Sequence, residues 1–162
     1  MVRRNGTGRS GRSWWLKVFA GSLIVLVTSQ VVRANDSQWL TDLSKAQEQA
    51  KRSRKLVLMD FNGSDWCPAC QILRKEVFAT PEFREYAKAN LVLVDVDFPN
   101  KKELPKKQVR ANEALVKKFE VEGLPTIIVL DSNGKKLEQK SGYDGQSAKE
   151  FIAELDKLRT KS

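Results

Sequence analysis

Residues 55–61 read Lys55-Leu56-Val57-Leu58-Met59-Asp60-Phe61, residues 62–65 read Asn62-Gly63-Ser64-Asp65, and residues 66–70 read Trp66-Cys67-Pro68-Ala69-Cys70. The first piece is a short apolar run without the polar alternation of a half-exposed strand, which predicts a central strand buried on both faces. The second is a cluster of turn formers that ends it. The third opens a helical pattern that continues through Ile72, Leu73, Val77 and Phe78. A buried strand, a sharp break and two cysteines at a helix start are the frame from which the remaining elements are read.

Upstream, residues 38–54 place Trp39, Leu40, Leu43 and Ala46 or Ala50 at helical spacing, with Asp36 or Ser37 as the cap. Downstream, Thr80-Pro81-Glu82 marks a kink or a new helix start, and residues 91–96 form a second buried strand. The stretch 97–108 is polar, basic and proline-bearing, and residues 112–119 form a helix with Ala114, Leu115 and Phe119 inward. Gly123-Leu124-Pro125 precedes an apolar, β-branched strand at residues 126–130. Ser132-Asn133-Gly134 is a hairpin turn that returns residues 135–143 as an antiparallel partner. A last helix covers residues 147–159, with Phe151, Ile152 and Leu155 on one face. The order implies an α/β domain with a mixed β-sheet flanked by helices, in which parallel crossovers meet one antiparallel pair.

The chain has 162 residues, 41% of them hydrophobic, which suits one compact domain. Its net charge of +9 is unevenly placed. Residues 1–34 carry Arg3, Arg4, Arg9, Arg12, Lys17 and Arg33 and no acid; taking those six from 29 leaves 23 basic residues against 20 acidic. A surplus of three is no electrostatic footprint for nucleic acid. A basic opening, an apolar stretch over residues 18–32 and then Val32-Arg33-Ala34 make residues 1–34 a secretory signal peptide or a retained N-terminal membrane anchor. The apolar stretch is 15 residues and includes Thr28, Ser29 and Gln30, shorter than the about 20 apolar residues of a spanning helix. The expected mature domain is residues 35–162, exported to the periplasm or the extracellular space, with a membrane association only if the leader is kept.

Cys67 and Cys70 are the only cysteines, and the chain has no histidine. Three apart at a helix start, they lie within reach of one disulfide. As a staple such a bridge achieves little, because the loop it closes is tiny. As chemistry it is well placed. The helix N-terminus favours thiolate over thiol at Cys67, the nucleophile, and Cys70 resolves the mixed disulfide from the same turn. Pro68 suits the first helical position, where no N–H is needed. Asp65, two residues before Cys67, would oppose the thiolate if its charge lay close. Tetrahedral zinc wants four ligands and lacks two here, so no metal site is expected.

These residues resemble the thioredoxin superfamily: the strand ending in Asp60-Phe61, Trp66-Cys67-Pro68-Ala69-Cys70 opening a helix, and Gly123-Leu124-Pro125-Thr126 before an apolar strand. The likeness covers about residues 37–160, and the Gly63-Ser64-Asp65-Trp66-Cys67 approach is most similar to exported proteins related to the C-terminal domain of the transmembrane disulfide reductase. The resemblance implies a thioredoxin fold and a thiol–disulfide oxidoreductase that works without a diffusible cofactor, more as a reductase than an oxidase. Its implied partners are protein or peptide disulfides and thiols, together with a redox protein that recharges the dithiol. It also implies roles beyond the cysteines. Pro125 corresponds to the family's cis-proline, with Leu124 pairing to the substrate backbone. Trp66 shields the sulfurs and contacts substrate, Gly142 borders the peptide groove, and Asp60 serves as the buried acid that shuttles the Cys70 proton. Asp60 stands one residue farther from the first cysteine than in thioredoxin itself.

Two other readings remain open on residues alone. One is a thioredoxin-like binding or chaperone module with an idle or structural dithiol; the other is a dithiol that carries a soft metal. Lys101, Lys102, Lys106 and Lys107 read as a solvated basic loop.

Overall fold

The computed structural model describes residues 39–160; the leader expected at residues 1–34, and Asp36 and Ser37, lie outside the described residues. Strand β1 (Leu56–Asn62) is buried at all seven positions. Its side chains alternate between two cores, as strand geometry requires. Leu56 and Leu58 join Leu73, Val77, Phe78, Phe83, Phe151 and Leu155 on one face, while Val57, Met59 and Phe61 meet Ala46, Ala50 and Phe119 on the other. Helices α2 (Pro68–Leu73), α3 (Pro81–Asn90) and α5 (Ala148–Arg159) supply the first core, and α1 (Leu43–Ser53) and α4 (Lys106–Phe119) the second. Among the described residues these elements form one α/β domain, with the helical layers on both faces of β1 that the resemblance to the thioredoxin fold implies.

Strands β2 (Leu91–Asp97), β3 (Thr126–Leu130) and β4 (Lys136–Ser141) complete a sheet of order β2-β1-β3-β4. Only β1 and β2 are parallel; β3 is antiparallel to both β1 and β4. The sequence reading of one antiparallel pair is therefore corrected to two. A helical period shows that α4 lies between β2 and β3 but not at which end of the sheet the chain re-enters. It re-enters beside the exit of β1, with Thr126 opposite Phe61.

Helix boundaries also move. Helix α1 starts at Leu43 rather than near residue 38, because Asp42 caps it by accepting from the amides of Ser44 and Lys45. Trp39 and Leu40 are not helical: Leu40 bridges Val94 in parallel, extending the β2 edge. Helix α4 begins at Lys106 rather than near residue 112, so Lys106 and Lys107 of the expected basic loop are helical. Thr80 accepts from the Phe83 amide and caps a separate helix α3, which settles the choice between kink and new start. Helix α2 continues through a π-helical turn, Arg74–Phe78, whose wider winding puts Val77 and Phe78 side by side in the core. Ser147 and Glu150 form a reciprocal capping box at the start of α5. Among the described residues, no helix is long and apolar enough to cross a membrane.

Candidate active site

The exit of β1 and the entry of β3 bring four segments to one end of the sheet. Residues 63–66 make a tight turn in which the Trp66 and Cys67 amides both donate to the Gly63 carbonyl. Cys67 then caps α2: its Sγ accepts from the Cys70 amide at 3.2 Å. The two cysteines are joined in a disulfide with Cα atoms 5.3 Å apart, and both are buried, Cys67 at 5% exposure and Cys70 at 4%. The local sequence explains the geometry. Pro68 at the first helical position needs no hydrogen-bond partner, and the Cys70 amide, one of the first-turn groups without an intrahelical acceptor, turns to Cys67 Sγ.

Trp66 is held on the open side of the turn. Its Nε1 donates to the Phe98 carbonyl at 2.6 Å, and its ring lies so close over Gly63 that a Cβ there would stand 2.5–2.8 Å from indole atoms. The indole remains 46% exposed, a large apolar surface next to a disulfide. Ile72, which the sequence reading placed in the apolar pattern with Leu73, Val77 and Phe78, is instead 51% exposed on α2 and is a second apolar residue left open. Asp65 does not face the sulfurs. Its two oxygens accept from the Asn100 and Lys101 amides, bonds that hold its carboxyl below the usual carboxylate range and stitch residues 98–101 to the dithiol turn. Ser64 adds two bonds to Asp97 from its amide and hydroxyl.

The Leu124–Pro125 peptide bond is cis. Thr126, paired with Phe61, sets this bond at the dithiol end of the sheet, and the Thr126 hydroxyl fastens the loop by donating to the Gly123 carbonyl at 2.7 Å. Leu124 packs its side chain into the α1 and α4 core. Gly142, at φ +80°, donates its amide to the Pro125 carbonyl at 2.7 Å, with open space where a side chain would stand. The six residues Cys67, Cys70, Trp66, Leu124, Pro125 and Gly142 thus lie on segments that meet at one end of the sheet.

Asp60 is 2% exposed, so it is no solvent-facing strand end. It follows Leu58 on the face that meets α2. Leu58 shares a core with Leu73 there; Asp60 is two residues further along the strand and Cys70 one turn earlier on the helix, so both step toward the dithiol end. Its Oδ1 makes no hydrogen bond. Burial pushes its pKa up to about 7, with the Arg74 guanidinium pulling it down and Asp95 and Asp97 pushing it further up. Asp95 is also raised by burial, although its Oδ1 accepts from Asn62 Nδ2 at 2.7 Å and has Arg74 Nη2 at 3.5 Å. Sequence reading named neither Asp95 nor Arg74. The signal available was Val94-Asp95-Val96-Asp97, two acids with one spacer on a single face of a buried strand.

A family model described as a thioredoxin-like domain matches residues 43–159. The disulfide bond reductase DsbH of Chlamydia pneumoniae is 28% identical over 130 residues, covering 80% of this chain and 77% of that protein. The thiol:disulfide interchange protein DsbD of Actinobacillus pleuropneumoniae serotype 5b is 33% identical over 117 residues, 72% of this chain but only 18% of that much longer protein. Among solved structures, a DsbH oxidoreductase superposes with a TM-score of 0.72 at 26% identity, over 85% of this chain and 94% of that one.

Two outcomes are expected from this geometry. Replacing Gly63 with alanine drives the indole off its seat; the Trp66–Phe98 bond breaks, tryptophan fluorescence shifts, and overpacking lowers stability by about 1–3 kcal/mol in urea titrations. Asp60 binds its proton more tightly in the folded than in the unfolded chain, whose value is near 3.8. Unfolding free energy of the oxidised protein therefore falls as pH rises from about 4 to about 7, by up to about 4 kcal/mol, and levels off above. Asp60→Asn, neutral throughout, removes the Asp60 part of that slope in urea titrations run across the same range and leaves the smaller part from Asp95, which burial also raises.

Proposed function

The chain belongs to the thioredoxin-like domain family, and from that premise we propose that it is an extracytoplasmic thiol–disulfide oxidoreductase that reduces disulfides in other proteins. The observation that carries the reading is the Cys67–Cys70 disulfide at the start of α2, set at the same end of the sheet as the cis Leu124–Pro125 bond. Relatives named as disulfide reductase and disulfide interchange proteins support the same activity.

In the reduced protein, the amide of Cys70 and the dipole of α2 favour a thiolate at Cys67. Cys67 attacks one sulfur of a substrate disulfide, forms the mixed disulfide and releases the other sulfur as a thiolate. Cys70 then loses its proton to Asp60 and attacks Cys67 Sγ. The Cys67–Cys70 bond forms, the bond to substrate breaks, and the two electrons of the dithiol end on the substrate's two thiols. Trp66 offers apolar contact beside the exchange, while Leu124 and the open Gly142 edge present backbone to an extended peptide. The dithiol requires a second redox protein to return it to the reduced form.

The equilibrium potential of the pair, measured against a glutathione series, is expected nearer the about −270 mV of a reductase than the about −120 mV of a strong oxidant. Cys67→Ala is expected to abolish turnover in a protein-disulfide reduction assay. Retained exchange in that variant would sink the mechanism, and no exchange by the unaltered protein would leave a binding module instead. Residues 1–34 are proposed as the export leader. Mass spectrometry of the exported protein then reads an N-terminus at Asn35 if the leader is cleaved and at Met1 if it is kept as an anchor; recovery from the cytoplasm alone would refute export.

A further inference from the structure

Arg74 and Asp95 take no part in the exchange steps, yet both border the acid that does. The parallel register of β1 and β2 sets Asp60 opposite Asp95, and side chains at these positions point to the same face, toward α2. Two carboxyl groups side by side in a largely dry place cannot both ionise easily. Arg74 is the cation that acts on both, and Lys102 acts on Asp95 in addition. Arg74 lies four residues after Cys70, and its amide donates to the Cys70 carbonyl, so the backbone of the dithiol helix carries the guanidinium to this spot.

The position of the guanidinium is well defined. Nη2 is 3.5 Å from Asp95 Oδ1, and that nitrogen is buried without a hydrogen bond although the side chain is partly open to solvent. The group also sits over the Trp39 ring, 5.5 Å from its centroid, and Trp39 in turn packs on Phe78. Asp95 is steadied by Asn62, whereas Asp60 Oδ1 has no hydrogen bond at all. The charged groups acting on Asp60 are Asp95 and Asp97 from β2 and Arg74 from the turn after α2. Strand β3 opposes it with Ile127 and contributes none.

We propose that Arg74 is a positioning residue for the proton step of exchange: its charge, shared between Asp95 and Asp60, sets the pH at which the Asp60 carboxylate can take the proton of Cys70. The inference rests on the reading of Asp60 as that acceptor. Arg74 favours the ionised carboxylate and Asp95 opposes it. The two therefore act on the same step with opposite sign, which a purely structural pair would not do.

The test uses the full oxidised chain for a carboxyl NMR titration of Asp60, and single-turnover reduction of a peptide disulfide for the pH profile of the resolving step. Arg74→Gln is expected to move both midpoints up by about one pH unit, roughly a tenfold loss of rate on the rising limb. Asp95→Asn moves both down, and Arg74→Lys, which keeps the charge, stays near the parent values. Midpoints of Asp60 that hold still in Arg74→Gln and Asp95→Asn, or that move in the same direction in both, overturn the assignment of Arg74. If Asp60 midpoints shift as expected but Asp60→Asn keeps the parent rate profile, the acceptor reading of Asp60 fails, and the proposal falls with it.

Discussion

Strand β1 has no side open to water: β2 and β3 flank it, and helices cover both of its faces. Every other element answers to that enclosure. A seven-residue strand buried at each position needs apolar side chains on both faces, and it needs two separate helical layers to receive them. It also makes any polar residue on the strand conspicuous. Asp60 and Asn62 are the two exceptions, and both lie near its C-terminal end. The same face two residues earlier is Leu58, inside a dense core of Leu73, Val77 and Phe83. The change from apolar to polar along one face is abrupt, and it happens where α2 brings Cys70.

The antiparallel entry of β3 is what turns this strand end into a site. A third parallel strand would carry the loop before it to the opposite end of the sheet, away from the disulfide. Because Thr126 pairs with Phe61, the Gly123–Pro125 loop arrives beside the turn that leads to Cys67. The β2–α4 connection is drawn to the same place by Asp65, Ser64 and Trp66, which bond to residues 97–101. Convergence of chain segments at one sheet end thus comes from register and a few polar ties, while the apolar cores keep the helices where the register needs them.

Much of this was legible in the sequence for reasons of range. The dithiol, the proline at the first helical position and the start of the last helix near residue 147 are set by residues within four of one another, and short-range geometry is what a sequence displays. The buried strands were visible as uninterrupted apolar runs. Helix α1 was placed too early because Trp39 and Leu40 fit the helical period, although Leu40 pairs with Val94 and Trp39 packs on Phe78. The direction of β3 and the start of α4 depend on where the chain returns in space, which no local pattern records. The meeting of Asp60, Asp95 and Arg74 was hidden for the same reason: it joins two strands and a helix across 35 positions of chain, and only the register reveals it.

That cluster is a poor device for stability. Removing carboxylates and a guanidinium from water is expensive, and well-packed apolar side chains in their place are commonly as stable or more so. The fold itself supplies the comparison, since Leu58 and Leu93 fill the equivalent paired positions one step deeper without penalty. Nor does the ion pair of Arg74 and Asp95 compensate fully, being long at 3.5 Å and partly screened by solvent. What the arrangement does provide is an acid poised near neutrality, where a small change of field alters its charge. The resolving thiol of the proposed exchange, silent until its partner sulfur is engaged and then quick to lose a proton, would need an acceptor of that kind. A carboxylate at its ordinary value would be too weak a base, and a fully neutral one could accept nothing. If Asp60 is the acceptor proposed above, the costly polar end of β1 is the condition for proton movement at Cys70, confined to the few residues nearest the disulfide and supported by two cores that need no charge at all.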